Sequence, residues 1–121
     1  MEGVFWVGRI LFGGYFVLSG LNHLLQLNQM ASYAATKKVP APKLAVIVTG
    51  LMLLAGGLSV LTGLYVQLGL WLLVIFLVVV TPWMHNFWTV QDSMQRMGEQ
   101  VNFFKNVGLL GATLLLLYLW S

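Results

Sequence analysis

The chain has 121 residues, 60% of them hydrophobic and only 7% charged, where an ordinary soluble domain carries about 25% charged residues. A water-soluble core of this size leaves too much of its chain exposed to hide that apolar share, so the composition excludes a soluble globular domain and places the chain in lipid. The lack of cysteine excludes disulfides and thiolate chemistry, and a net charge of +3 from six basic and three acidic residues is too thin for nucleic-acid binding.

Crossing about 30 Å of hydrocarbon takes about 20 helical residues. The N-terminal stretch MEGVFWVGRILF starts with an acidic residue rather than a basic segment. No small-residue cleavage site follows its apolar run, so it reads as a retained first span over 4–25. The polar stretch NQMASYAATKKVPAP then ends at Pro40 and Pro42, which stop one structure before a second span over 44–65. Only LTGLYVQLG separates that span from a third over 68–84, so the two form a tight hairpin. In the next polar stretch, NFWTVQDSMQRMGEQ, Val90, Met94 and Met97 lead to Val101 at helical spacing. That pattern predicts a short amphipathic helix lying on the membrane surface. A fourth span over 101–120 completes the chain.

The predicted fold is all-α: a four-transmembrane-helix bundle forming a single domain over 1–121. Both polar loops fall on one side, side B, and both termini on the other, side A. Lys37, Lys38, Lys43, Arg96 and Lys105 belong to side B and only Arg9 lies nearer side A. The positive-inside rule therefore predicts side B in the cytoplasm. A faint repeat sets His23 twenty residues before Lys43 and His85 twenty before Lys105.

Ionisable groups inside spans are costly and mark functional candidates. Arg9, Phe12, Phe16, Ser19 or Gly20, and His23 share one face of the first helix, with Arg9 and His23 about 21 Å apart along its axis. On the third helix, Gln67, Trp71, Val74, Val78, Thr81 and His85 form a comparable stripe. If both faces turn inward, the two histidines reach side B together, where Asn102, Lys105 and Asn106 open the fourth helix. Trp83 and Trp88 would ring the resulting pocket. Imidazole, amide and indole in an apolar slot suit a quinone headgroup, which needs hydrogen-bond donors for its carbonyls and a proton source. Haem fits less well, because the two histidines lie close to the interface and nothing else marks a haem pocket. No metal site is expected, since two histidines lack a third ligand. A plainer reading stands beside these: the histidines cap helix ends, Lys105 snorkels, and Arg9 snorkels or binds carbonyls or lipid phosphate.

The order GRILFGGYFVLSGLNHL, VPAPKLAVIVTG, AGGLSVLTGL and FFKNVGLLGATLLL resembles the DoxX family of small four-helix membrane proteins. The motifs that carry the resemblance are Arg9, Ser19-Gly20 with His23, Pro40 and Pro42, Gly56-Gly57 with Gly63, and Lys105-Asn106. The resemblance implies a multi-pass protein of a bacterial-type cytoplasmic membrane. Members include a subunit resembling the small subunit of thiosulfate:quinone oxidoreductase and partners in redox-stress complexes, while wider relatives assist assembly of other membrane proteins. Many members carry an acidic residue three positions before the Gly-Gly pair, where this chain has Leu53. Two functions are thus expected. One is a quinone-interacting subunit that takes electrons from a soluble or membrane redox partner. The other is a non-catalytic assembly or scaffold subunit that binds other proteins. A homo-oligomer in the bilayer is compatible with both.

Overall fold

A computed structural model describes residues 1–120. The elements are α1 (Glu2–Leu25), α2 (Leu27–Thr36), α3 (Pro42–Thr62), α4 (Val66–Met84), a 3-10 turn over Phe87–Thr89, and α5 (Ser93–Leu119). Four helices, α1, α3, α4 and α5, are long and apolar enough to cross a membrane, which makes this an all-α, multi-pass membrane protein. At about 1.5 Å per residue the 21 residues of α3 reach about 32 Å, close to the hydrocarbon thickness.

The hairpin between α3 and α4 turns on Gly63, whose φ of 78° is a left-handed conformation that glycine adopts without a Cβ penalty. Its N–H closes α3 on the Ser59 carbonyl at 2.9 Å. α1 packs on α3, α3 on α4 and α4 on α5, whereas α1 and α5 meet through long side chains such as Phe5 and Trp120. Backbone contact between α1 and α3 depends on Gly57: a Cβ there would lie 2.6 Å from the Gly13 carbonyl oxygen and 2.7 Å from the Val17 nitrogen. Small residues at such a crossing replace the hydrophobic drive that lipid removes. Phe16, Leu53, Val60, Leu70, Leu73 and Leu77 form the buried core, against which leucines of α5 pack.

Four sequence expectations are corrected here. The first polar stretch contains a helix, α2, whose Ala31 and Ala34 are buried with Val46 of α3 in a second, smaller core. The second polar stretch holds no separate surface helix. Its amphipathic residues from Ser93 onward form the first turns of α5, one unbroken helix of 27 residues. Asp92 caps it by accepting the Gln95 N–H at 2.9 Å, and extending a nucleated helix costs less than nucleating a second one. The two intervals of the supposed repeat therefore fold differently. Finally, α4 turns Val66, Leu70, Leu73 and Leu77 inward together with Val74 and Thr81 of the predicted stripe, while the stripe's Gln67, Trp71 and Val78 are exposed. A helix that is apolar all round carries no periodic signal to fix its face.

Candidate functional site

At side B the ends of α1, α3 and α4 enclose, with α2, an apolar cavity of about 530 Å³. His23 of α1, Thr49 of α3, Phe76 and Trp83 of α4, His85 after α4, and Asn106 of α5 are among its lining residues. The structure thus brings His23, His85 and Trp83 to one cavity. It does not bring the other predicted residues there. Asn102 lines a second cavity, Lys105 is exposed with its Nζ 5.8 Å from the Tyr15 ring, and Trp88 is exposed against Phe103. Asn106, the neighbour of Lys105, lines the cavity in its place. The residue is 7% exposed, and its side-chain amide makes no hydrogen bond among the described residues. The fully buried side-chain polar atom without a partner among the described residues is Thr81 Oγ1 of α4, so the Asn106 amide is not wholly enclosed by protein and can bond to a molecule in the cavity.

The two imidazoles differ in what they can offer. His23 Nδ1 lies 2.8 Å from the Ser19 carbonyl oxygen. A carbonyl only accepts, so Nδ1 carries the proton. Neutral His23 then has a lone pair on Nε2, a hydrogen-bond acceptor on a half-buried ring that lines the cavity. His85 Nδ1 instead donates to Glu99 Oε1 at 3.2 Å. Its main-chain N–H closes α4 on the Thr81 carbonyl.

Glu99 lies in the early turns of α5, not in a loop, with its side chain 12% exposed. Its Oε2 accepts from Tyr33 Oη at 2.5 Å and pairs with Lys37 Nζ at 3.1 Å. Lys37 also donates to Asn86 Oδ1 at 2.8 Å, and Trp83 Nε1 donates to the Lys37 carbonyl at 2.9 Å. This network ties α2, the end of α4 and α5 together. Beyond it lies a polar cavity of about 750 Å³, lined by Lys37, Lys38, Asn86, Glu99 and Asn102 among others. Tyr33 lines both cavities. The cluster of Tyr33, Lys37, His85 and Glu99 is therefore the wall between an apolar and a polar space.

Sequence reasoning missed Glu99, Tyr33 and Lys37 as a group because they meet only once α2 and the extended α5 exist. Burial, donation to Glu99 and repulsion by its charge together push the Tyr33 phenol above the usual tyrosine range. We predict that Tyr33→Phe removes no phenolate absorbance at about pH 11, where an ordinary tyrosine has ionised. An alkaline titration of folded protein showing the loss of one tyrosine's amplitude would contradict the Tyr33–Glu99 contact.

Arg9 lies at the opposite end. Its Nε donates to the Val60 carbonyl at 2.9 Å and its Nη2 to the Leu61 carbonyl at 3.3 Å, with the guanidinium 4.3 Å from the Trp6 ring centre. These carbonyls belong to the last turn of α3, where helical partners run out and a cation meets the negative end of the helix dipole. Arg9 is a structural cap remote from the side B cavities.

Compared with known proteins, the chain matches the DoxX family model over residues 4–86. No curated protein and no solved structure matches it. α5, which supplies Glu99 and Asn106, lies outside the matched segment.

Proposed function

The chain belongs to the DoxX family of membrane proteins, and from that premise we propose that it is a quinone-interacting membrane subunit of a redox system in a bacterial-type cytoplasmic membrane. The observation that carries the reading is the apolar cavity whose lining combines two imidazoles with the Asn106 amide, which bonds no other described residue. Phe76 and Trp83 offer flat apolar faces to a ring, while Asn106, His23 and His85 offer donors and acceptors to its oxygens. Side B, with most of the basic residues, faces the cytoplasm in this reading, and a soluble or membrane-bound redox partner supplies the electrons.

The test is equilibrium binding of a short-tailed benzoquinone and its quinol to the purified protein in mild detergent. Asn106→Leu is expected to weaken binding of both forms, and His23→Ala binding of the quinol, by roughly tenfold, the loss of about one hydrogen bond to the ligand. Neither form binding to the wild type, or both variants binding as the wild type does, rejects the cavity as a quinone site.

A second reading, a non-catalytic assembly subunit, draws on the open glycines of the outer faces. A Cβ at Gly8 or Gly14 of α1, or at Gly108 or Gly111 of α5, would meet nothing within 4 Å, so a partner helix can approach closely. Self-association is one form this takes. In that case bulky residues at Gly108 and Gly111 disrupt complexes while His23 and His85 tolerate alanine.

A further inference from the structure

We infer that His85 and Glu99 form a protonation switch in the wall of the cavity, so that holding an oxidised headgroup is coupled to proton uptake, while His23 stays a neutral acceptor for a hydroxyl. This inference rests on the quinone reading above and assigns the two imidazoles opposite roles.

The geometry sets the asymmetry. Neutral His23 has its Nδ1 proton committed to the Ser19 carbonyl, so toward the cavity it offers only a lone pair. A quinol hydroxyl can donate to that lone pair, whereas a quinone carbonyl cannot. His85 has its Nδ1 proton committed to Glu99, which leaves Nε2 as the ring's remaining polar atom. Neutral, Nε2 is a second acceptor. When a proton from water adds to Nε2, the ring becomes an imidazolium whose Nδ1–H remains on Glu99 Oε1 and whose Nε2–H can donate to a carbonyl oxygen. No bond to carbon changes and no electron moves, so the balance of the step is one proton taken from solvent per carbonyl held.

Glu99 makes this feasible by sharing the wall with the polar cavity, where water reaches the network. The other titratable or charged groups facing the pair are Tyr33 and Lys37 on the α2 side, both bonded to Glu99 Oε2, with Lys38 on the rim of the polar cavity. Lys37 already balances one negative charge, so the cluster with neutral His85 has no net charge. Protonating His85 gives it one positive charge, with the carboxylate in direct contact and the polar cavity beside it. Removing the Glu99 charge takes away the group that holds the imidazolium.

The experiment measures proton uptake with an indicator dye in weakly buffered detergent solution as a short-tailed benzoquinone, then its quinol, is titrated into the protein. Over about pH 6 to 9 the imidazole range is covered. Wild type is expected to take up close to one proton per quinone bound at some pH in that window, and much less per quinol. Glu99→Gln, read only for uptake per quinone bound, loses the uptake. His85→Gln, read only for uptake per quinone bound, loses it as well. Uptake by Glu99→Gln and His85→Gln equal to wild type overturns the switch, as does equal uptake for quinone and quinol. If wild type binds neither molecule, the quinone reading fails, and the switch fails with it.

Discussion

Gly57→Leu is expected to separate α1 from α3 and unfold the side B cavity with them. The position has no room at any rotamer. The added Cβ alone would sit 2.6 Å from the Gly13 carbonyl oxygen, 2.7 Å from the Val17 nitrogen and 2.8 Å from Val17 Cγ2. Two of these atoms are backbone, so no side-chain rearrangement relieves the clash and one helix must move. Overpacking a well-packed core costs about 1–3 kcal/mol or more, and the upper end applies where backbone is the obstacle. Because His23 rides on α1 and Thr49 on α3, the displacement also opens the cavity they line. Thermal unfolding in detergent, followed by circular dichroism, tests the claim against Gly111→Leu, whose Cβ meets nothing within 4 Å. Equal stability of the two variants would show that the α1–α3 approach is looser than described.

The span count was legible because lipid leaves few alternatives: every backbone polar group must be satisfied within a helix, and about 20 apolar residues are then enough to mark a span. The face of α1 was legible for a different reason. Arg9 and His23 are expensive in lipid, so they point to carbonyls and cavity, and Phe16 and Gly20 follow on the buried side. α4 has no such residue between Gln67 and Thr81, and only Val74, Thr81 and His85 of its predicted stripe turn inward.

α2 had a signal that the basic, proline-ended stretch obscured. Leu27, Met30, Ala31 and Ala34 recur at helical spacing, and all four pack into the smaller core. Missing it hid Tyr33 and Lys37, which stand on the far side of that helix. Leu53 is fully buried in the core, and Glu99 lies on the helix outside the family match with its side chain 12% exposed. No local pattern announces that Glu99 will meet His85 fourteen residues earlier and Tyr33 sixty-six residues earlier. That meeting is a consequence of α5 running past the membrane as one helix.

Glu99→Ala is expected to release α2 from the bundle. Among the described residues the carboxylate is the one acceptor that Tyr33 Oη, Lys37 Nζ and His85 Nδ1 share, and the Lys37 and Glu99 side chains are 14% and 12% exposed. Alanine leaves Lys37 mostly buried, with a hydrogen bond to Asn86 Oδ1 and the Tyr33 ring 5.7 Å away but no counter-charge in contact. Breaking a buried pair from one side costs about 3–5 kcal/mol, chiefly because the remaining charge is stranded. The neighbouring polar cavity allows Lys37 some hydration, so the lower figure, about 3 kcal/mol, is expected here. α2 docks through two alanines and a few partly buried side chains, so it opens before the spanning helices do. Amide hydrogen exchange should therefore quicken by roughly a hundredfold across Leu27–Thr36 while α3 stays protected. The double variant Lys37→Met with Glu99→Leu removes both charges and should restore most of that protection, since apolar replacement of a whole buried pair is often neutral. If the single variant leaves α2 protected, Glu99 does not hold the wall. If the double variant exchanges as fast as the single one, the loss lies in the bonds to Tyr33 and His85 rather than in the stranded lysine.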